Sequence, residues 1–422
     1  MRIIVVQDVN SILELFKPRI DKETRKKVTT IISNVQKRKD KALRQYEKRF
    51  SGANIRSFRV TKDEIKNAYK EVSKEQILAI RLAKQRLEKS ENLIKRQLHD
   101  TSISIDGIKI RKEFIPLDSV ACYIPGGRAR YPSTVVMSVV PAKMAGVKRI
   151  VAVSPPSNDG HIDPLTLVAA NICGVDEFYK TGGTQAIAAL AYGTKSIPRV
   201  DKIIGPGGIF VTLAKYILSD VVSIDMIAGP TELAIVADSS ADPDLVAVDL
   251  ISQAEHSVDT RCFLITNSEI LARNVLKSLK KRINLISRSD VVKASLANNG
   301  FAAICKTESQ MVDLANKLAP EHLEIMTKNP QRLAKKIRSA GLVLVGSNTP
   351  SSASDYLLGS NHILPTNRFA RTRGSLGVLD CMKLHTTIES SRASLDKISR
   401  YMKAITDAEG LSNHYEAVRC RL

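Results

Sequence analysis

The stretch VACYIPGGRARYPSTVVMSVVPAKMAGVKRIVAV, residues 120–153, decides the fold class. VACYI (120–124) and RIVAV (149–153) are short apolar runs of strand length. The residues between them contain a helix-like stretch long enough to bridge two parallel strands. The alternation then repeats. EFYK (177–180), VDKII (200–204), LAIVAD (233–238), CFLIT (262–266), FAAIC (301–305) and LVLVG (342–346) are further strand candidates, most of them separated by helical intervals. The pattern predicts an α/β protein with one or two parallel, doubly wound sheets, and two Rossmann-like halves fit the count.

Upstream, residues 1–20 read as a short arm, and residues 22–98 as helical and amphipathic. Thr61 and Glu64 have capping-box spacing before the periodic Ile65, Ala68, Tyr69 and Val72. ISIDGIKI (103–110) alternates isoleucines around Asp106-Gly107, a hairpin signal. Helical candidates in 375–422 suggest a separate C-terminal piece.

The chain has 422 residues, of which 43% are hydrophobic, enough for two or three domains with their own cores. The MRIIVV run is too short for a signal-peptide core, and no stretch has the roughly 18 uncharged apolar residues of a membrane helix. A cytoplasmic enzyme without membrane partners is the expectation. The six cysteines form no CxxC pair and no close spacing, so reduced, packed thiols are expected. The formal net charge of +21 raises the question of nucleic acid. The basic residues are mixed with Asp and Glu, and no zinc finger, RNP-like motif or basic tail stands out. A heavily charged surface without nucleic acid is the simpler reading, and it favours an anionic cofactor.

Three strand ends run into Gly-rich turns before helix starts: YIPGG (123–127), TGGTQ (181–185) and IGPGG (204–208). Glycine lets backbone approach a phosphate, and a helix start supplies aligned N–H donors. Such loops also arise for steric reasons alone, and GxGxxG is absent. Four histidines sit in polar contexts: SQAEH (252–256), APEHLE (319–324), SDYLLGSNH (354–362) and AEGLSNH (408–414). Gln253 and His256, three apart, share a helix face. With Asp355 and His414 they make a credible Zn²⁺ donor set, though each alone fits an ordinary structural role. Glu321-His322 suits a general-base pair, but from the residues alone an exposed charged loop is the simpler reading.

These stretches, in order, carry a resemblance. SIDMIAGPTELAIVADSSADPDLVAVDLISQAEH (223–256), YIPGG, TGGTQAIAALAYGT, VDKIIGPGG, LAPEHLEI, GSNHILPT, the SLG of 375–377 and AEGLSNHYEAV resemble the histidinol dehydrogenase family over about residues 120–418. The resemblance implies one zinc per subunit, held by Gln253, His256, Asp355 and His414. It implies Glu321 and His322 as the catalytic pair. Substrate contacts would be Thr231, His362 and Glu409, together with His322 and the metal ligands. NAD contacts would be Tyr123, Gln185 and Gly208. It further implies L-histidinol as substrate, oxidised through the aldehyde to histidine. A homodimer would exchange its C-terminal tails and so share its active sites. The implied fold is two Rossmann-like domains, 21–128 with 230–374 carrying the zinc and catalytic residues, and 129–229. A helical N-terminal segment and a helical tail, 375–422, complete it.

Two departures stand out. Thr231 replaces the serine of GPSE and keeps its hydroxyl. Gly208 replaces the asparagine of GPGN and removes an amide that would bind cofactor. The alternative within the family is oxidation of another small diol or amino alcohol. A sulfonated diol would call for Arg or Lys where the chain has Glu409 and His362. A zinc hydrolase and a nucleic-acid-binding protein are rivals of other classes.

Overall fold

The computed structural model describes residues 1–13, 22–126 and 130–422. Fourteen strands run in chain order among them. They are β1 (Arg2–Val5), β2 (Thr101–Ile105), β3 (Ile108–Pro116), β4 (Ser119–Tyr123), β5 (Arg149–Ser154), β6 (Glu177–Lys180) and β7 (Lys202–Ile204). Then come β8 (Ser223–Ile224), β9 (Glu232–Ala237), β10 (Arg261–Thr266), β11 (Phe301–Ile304), β12 (His322–Met326), β13 (Leu342–Val345) and β14 (Met382–Glu389). They form a six-stranded sheet, β1-β11-β10-β9-β12-β13, a five-stranded sheet, β6-β5-β4-β7-β8, and a three-stranded sheet, β14-β3-β2. All pairs in the two larger sheets are parallel. The mixed α/β fold read from the alternation is therefore present.

In each large sheet the chain moves outward from a central strand, then returns to that strand's other side. It runs β9, β10, β11 before β12 and β13, and β4, β5, β6 before β7 and β8. The central strands β4 and β9 are buried along their whole length because helices cover both faces. Two apolar clusters sandwich the five-stranded sheet, one around Val120, Val136 and Ile150, the other around Ala121, Val151 and Ile187. Two more sandwich the six-stranded sheet.

Three boundaries differ from the sequence reading. Residues 2–5 are not a free arm: Ile3 and Ile4 pair with Ala302 and Ala303 at the edge of the six-stranded sheet. The division that gave 21–128 to the catalytic domain fails at β4, which is the centre of the other sheet. The helices Lys22–Phe50, Lys62–Glu71 and Lys74–Lys95 pack on that same five-stranded unit, through Val28, Ile32, Leu43 and Leu87 among others. An apolar strand needs a partner on each side, and only β5 and β7 supply them. Nor is the C-terminal piece wholly helical. Residues 382–389 form β14, which pairs antiparallel with β3 before the helices Arg392–Ala408 and Ser412–Arg419.

The local signals held. Glu64 N–H donates to Thr61 Oγ1, and Thr61 N–H donates back to the Glu64 carboxylate, closing the box. The 103–110 hairpin turns at Asp106 and Gly107, both with positive φ (51° and 80°), and pairs Ile105 with Ile108. No helix among the described residues is long and apolar enough to cross a membrane.

Candidate functional site

The catalytic candidates lie at the amino edge of the six-stranded sheet. GPTE ends in β9, and APEH ends in β12, its neighbour. Pairing of His322 with Leu233 brings Glu321 beside Glu232. Glu321 and His322 were open to reading as an exposed loop, yet both are buried, 6% and 2% exposed. Glu321 Oε2 accepts from Glu232 N–H and from Thr231 Oγ1, each at 2.8 Å. The first backbone donor of β9 and the neighbouring hydroxyl thus hold the carboxylate. Burial raises the Glu321 pKa above the usual carboxylate range, against the pull of His322 and these two donors.

His322 Nδ1–H donates to Glu232 O at 3.4 Å, leaving Nε2 as the free ring atom. Nε2 stands 3.3 Å from Asp355 Oδ1. Neither atom makes a hydrogen bond, and both are buried. Burial disfavours the imidazolium, but the carboxylates of Asp355 and Glu321 outweigh it and push His322 up to about 9. Burial works against the Asp355 carboxylate as well, but His322, His362 and His256 around it hold its pKa below the ordinary value.

The segment 351–364 carries Asp355 and His362 and bridges the two large units. His362 Nδ1–H donates to Asp355 O at 2.7 Å. Its Nε2 accepts from Thr134 Oγ1, at 3.5 Å, on the Pro132–Ala145 helix of the five-stranded unit. Asn361 donates to Met137 O of the same helix. Burial lowers the pKa of His362. Gln253 lies in the last turn of the Pro243–Ala254 helix, with Nε2 3.5 Å from Thr231 Oγ1. His256 lies just past the helix end, so it shares the turn with Gln253 rather than a continuing helix face; its N–H donates to Gln253 O.

Within one chain the structure therefore gathers Thr231, Gln253, Glu321, His322, Asp355 and His362, with His256 beside Asp355. It does not bring Glu409 or His414 to them. Glu409 caps the Arg392–Ala408 helix and His414 lies in Ser412–Arg419; both are exposed. Among the described residues no three His, Cys, Asp or Glu side chains stand close enough together to hold a metal ion.

The sequence reading missed the frame around this pair. Glu232, 4% exposed, accepts from Arg261 NH1 at 3.0 Å and from Asn367 N–H at 3.2 Å. Burial pushes its pKa up to about 7, with Arg261 opposing. The acid beside Thr231 in GPTE was the available signal.

The Gly-rich loops lie at the carboxyl edge of the five-stranded sheet, where β4 and β7 separate the two winding directions, the usual place for a ligand in such sheets. A Cβ on Gly205 would fall 2.3 Å from Tyr123 O, so that glycine is required for close backbone approach. A Cβ on Gly208 would meet nothing within 4 Å. Tyr123 and Gln185 are both buried, and Gly183 N–H donates to Tyr123 Oη at 2.9 Å. Gly127 of YIPGG lies outside the described residues.

The sequence profile of histidinol dehydrogenases matches residues 17–422. The chain belongs to the histidinol dehydrogenase family. A histidinol dehydrogenase of Methanocaldococcus jannaschii is 41% identical over 395 residues, 94% of this chain and 92% of that protein. One from Caldanaerobacter subterraneus is 42% identical over 404 residues, 95% and 93% of the two chains. The crystal structure of histidinol dehydrogenase from Elizabethkingia anophelis superposes with a TM-score of 0.92 at 34% identity, covering 100% of this chain and 97% of that one. The match thus extends over nearly all of this chain and of these histidinol dehydrogenases, and the family is one of oxidoreductases.

Proposed function

We propose that this protein oxidises L-histidinol through histidinal to L-histidine, using NAD as hydride acceptor and one zinc per subunit. The observation that carries the reading is the buried Glu321–His322 pair beside Asp355. It sits below a bridge to the unit that bears the Gly-rich loops. Asp355 Oδ1 is buried without a hydrogen bond next to His256, which fits a donor turned toward a cation. Gln253, His256 and Asp355 would hold zinc with His414. Zinc held there would supply a Lewis-acid anchor for the substrate's nitrogen donors and would take no electrons.

The protein's own groups supply geometry and proton transfer. His322 Nε2 takes the hydroxyl proton as hydride leaves for the dinucleotide. With Asp355 engaged by a cation, the carboxylate field that raises His322 would weaken, and its Nε2 would be freer to act as a base. Glu321, raised by burial and steadied by Thr231, activates water on the bound aldehyde. Thr231, His362 and Glu409 contact substrate, and Tyr123, Gln185 and Gly208 contact NAD. Glu409 supplies a carboxylate for a cationic substrate.

The exposed His414 and Glu409 call for a second chain. The helix 392–408 leaves Tyr401 and Ile405 exposed, and Leu411 follows. This uncovered apolar face suits docking on a partner, so a homodimer would complete each site. The test is NADH formation from histidinol and NAD. Two NADH per histidinol, with no free aldehyde, is expected. Turnover without NAD, or none with histidinol, refutes the reading.

A further inference from the structure

The TGGTQ loop is held by a residue far away in sequence. Glu47, on the Lys22–Phe50 helix, is 1% exposed. Its Oε1 accepts from Thr181 Oγ1 at 2.6 Å, Gln185 Nε2 at 2.8 Å and Gly182 N–H at 3.1 Å. Its Oε2 accepts from Ser51 Oγ at 2.8 Å. An amide side chain has a donor end and an acceptor end, and its partners decide which way it lies. A carboxylate oxygen already receiving a backbone N–H can only accept. It therefore takes the NH2 end of Gln185 and turns the carbonyl end away.

That carbonyl, Gln185 Oε1, is buried and has no partner. Leaving such an acceptor unpaired costs stability, which a ligand donor recovers. Gly183 lies against it: its φ is +61°, and an added Cβ there would fall 3.0 Å from Oε1. Tyr123 Oη flanks the same glycine and accepts its N–H.

We propose that Glu47 is a positioning residue that fixes the Gln185 amide with its carbonyl free, so that this loop selects a ligand bearing a hydrogen-bond donor. This rests on the NAD reading above, and it narrows the donor to the carboxamide NH2, the adenine NH2 or a ribose hydroxyl of the dinucleotide. Phosphates, which at neutral pH only accept, do not fit Gln185 Oε1. They remain free to meet backbone N–H groups elsewhere on the edge.

The test measures binding to the protein of NAD, of its 3-acetylpyridine analogue (carboxamide NH2 replaced by methyl), of its hypoxanthine analogue (adenine NH2 replaced by oxygen) and of 2′- and 3′-deoxyribose analogues. In the unaltered protein, one analogue should bind about tenfold more weakly than NAD, equivalent to ~1.4 kcal/mol. In Gln185→Met the same pair should differ by less than about twofold. The analogue that loses discrimination identifies the donor. Glu47→Met removes the acceptor and lets the amide turn over. It should shrink the tenfold discrimination several-fold and raise KM for NAD by more than it lowers kcat. Should that variant unfold, Glu47→Asp, which withdraws the acceptor by one methylene, gives the same comparison. If every analogue loses the same factor in the unaltered protein and in Gln185→Met, the donor-selection proposal is overturned. If discrimination survives in both Glu47 variants, the positioning role is overturned. Failure of the unaltered protein to bind NAD refutes the cofactor reading itself, whereas tight NAD binding without any coupling at Gln185 refutes only this inference.

Discussion

The two large sheets present opposite edges to function. On the proposed function, the six-stranded sheet would work at the amino edge of β9 and β12 through side chains: Thr231, Glu321 and His322, framed by Glu232. The five-stranded sheet uses its carboxyl edge, where the backbone does the work and glycine permits close approach. The first edge concentrates buried charge, with His322 pushed up to about 9 and Glu232 to about 7. The second edge places one structural carboxylate, Glu47, beneath its loop and satisfies both of its oxygens. A reactive edge keeps polar atoms unpaired, as at Asp355 Oδ1 and His322 Nε2, and such atoms cost stability. A binding edge keeps its backbone open and its side chains satisfied, apart from the one acceptor turned to the ligand.

The sharpest way to break this comparison is to remove the metal. Chelation should abolish turnover while circular dichroism stays unchanged, because neither sheet is built on the ion, and added zinc should restore activity. Full turnover in zinc-free protein would remove the metal from the reactive edge.

Substitution at that edge comes next. His322→Asn should lower both half-reactions by about 10²–10⁴, the range for losing a general base. Glu321→Gln should impair oxidation of added histidinal more than the first oxidation. Equal losses in stopped-flow traces would reduce Glu321 to orienting its neighbour.

The shared site predicts complementation. His256→Ala and His414→Ala should each be inactive alone. A mixed dimer joins an intact core from one chain to an intact tail from the other, and should regain about half of normal activity. Confirmed heterodimers without recovery would place the whole site in one chain.

A pH effect should separate the edges more gently. In chelated protein His322 has a folded pKa near 9, against 6.5 for a free imidazole. The folded state binds this proton more tightly, so the stabilisation is full below about pH 6.5 and is lost as pH rises through about 9. The loss is on the order of 3 kcal/mol. Thermal melting of chelated protein should show it, and His322→Asn should flatten it. Zinc should also flatten it, by offsetting the field of Asp355.

The smallest effect belongs to the binding edge. Gly208 has room for a side chain and φ of −66°. Gly208→Asn should leave the melting point nearly unchanged and lower KM for NAD a few-fold, about 0.5–1.5 kcal/mol for one hydrogen bond. An unchanged KM would detach position 208 from the cofactor.

Sequence alone determined the local elements. The 61–64 capping box, the Asp106-Gly107 turn and eight of the parallel strands follow from nearest-neighbour hydrogen bonds and side-chain periodicity, which a linear pattern records. Glu321 and His322 were legible as residues but not as buried ones. HLEIM places two polar residues in a strand, and only burial between β9 and β13 separates it from a charged loop. Other decisions belonged to the tertiary structure. MRIIVV became an edge strand because Phe301–Ile304 offered unpaired backbone, and β4 moved to the other sheet because its two partners lie later in the chain. Glu47 reached Gln185 across 138 positions because a helix packs where the loop turns. Such contacts depend on which surfaces meet, and surfaces meet through the summed burial of whole elements rather than through the spacing of any one motif.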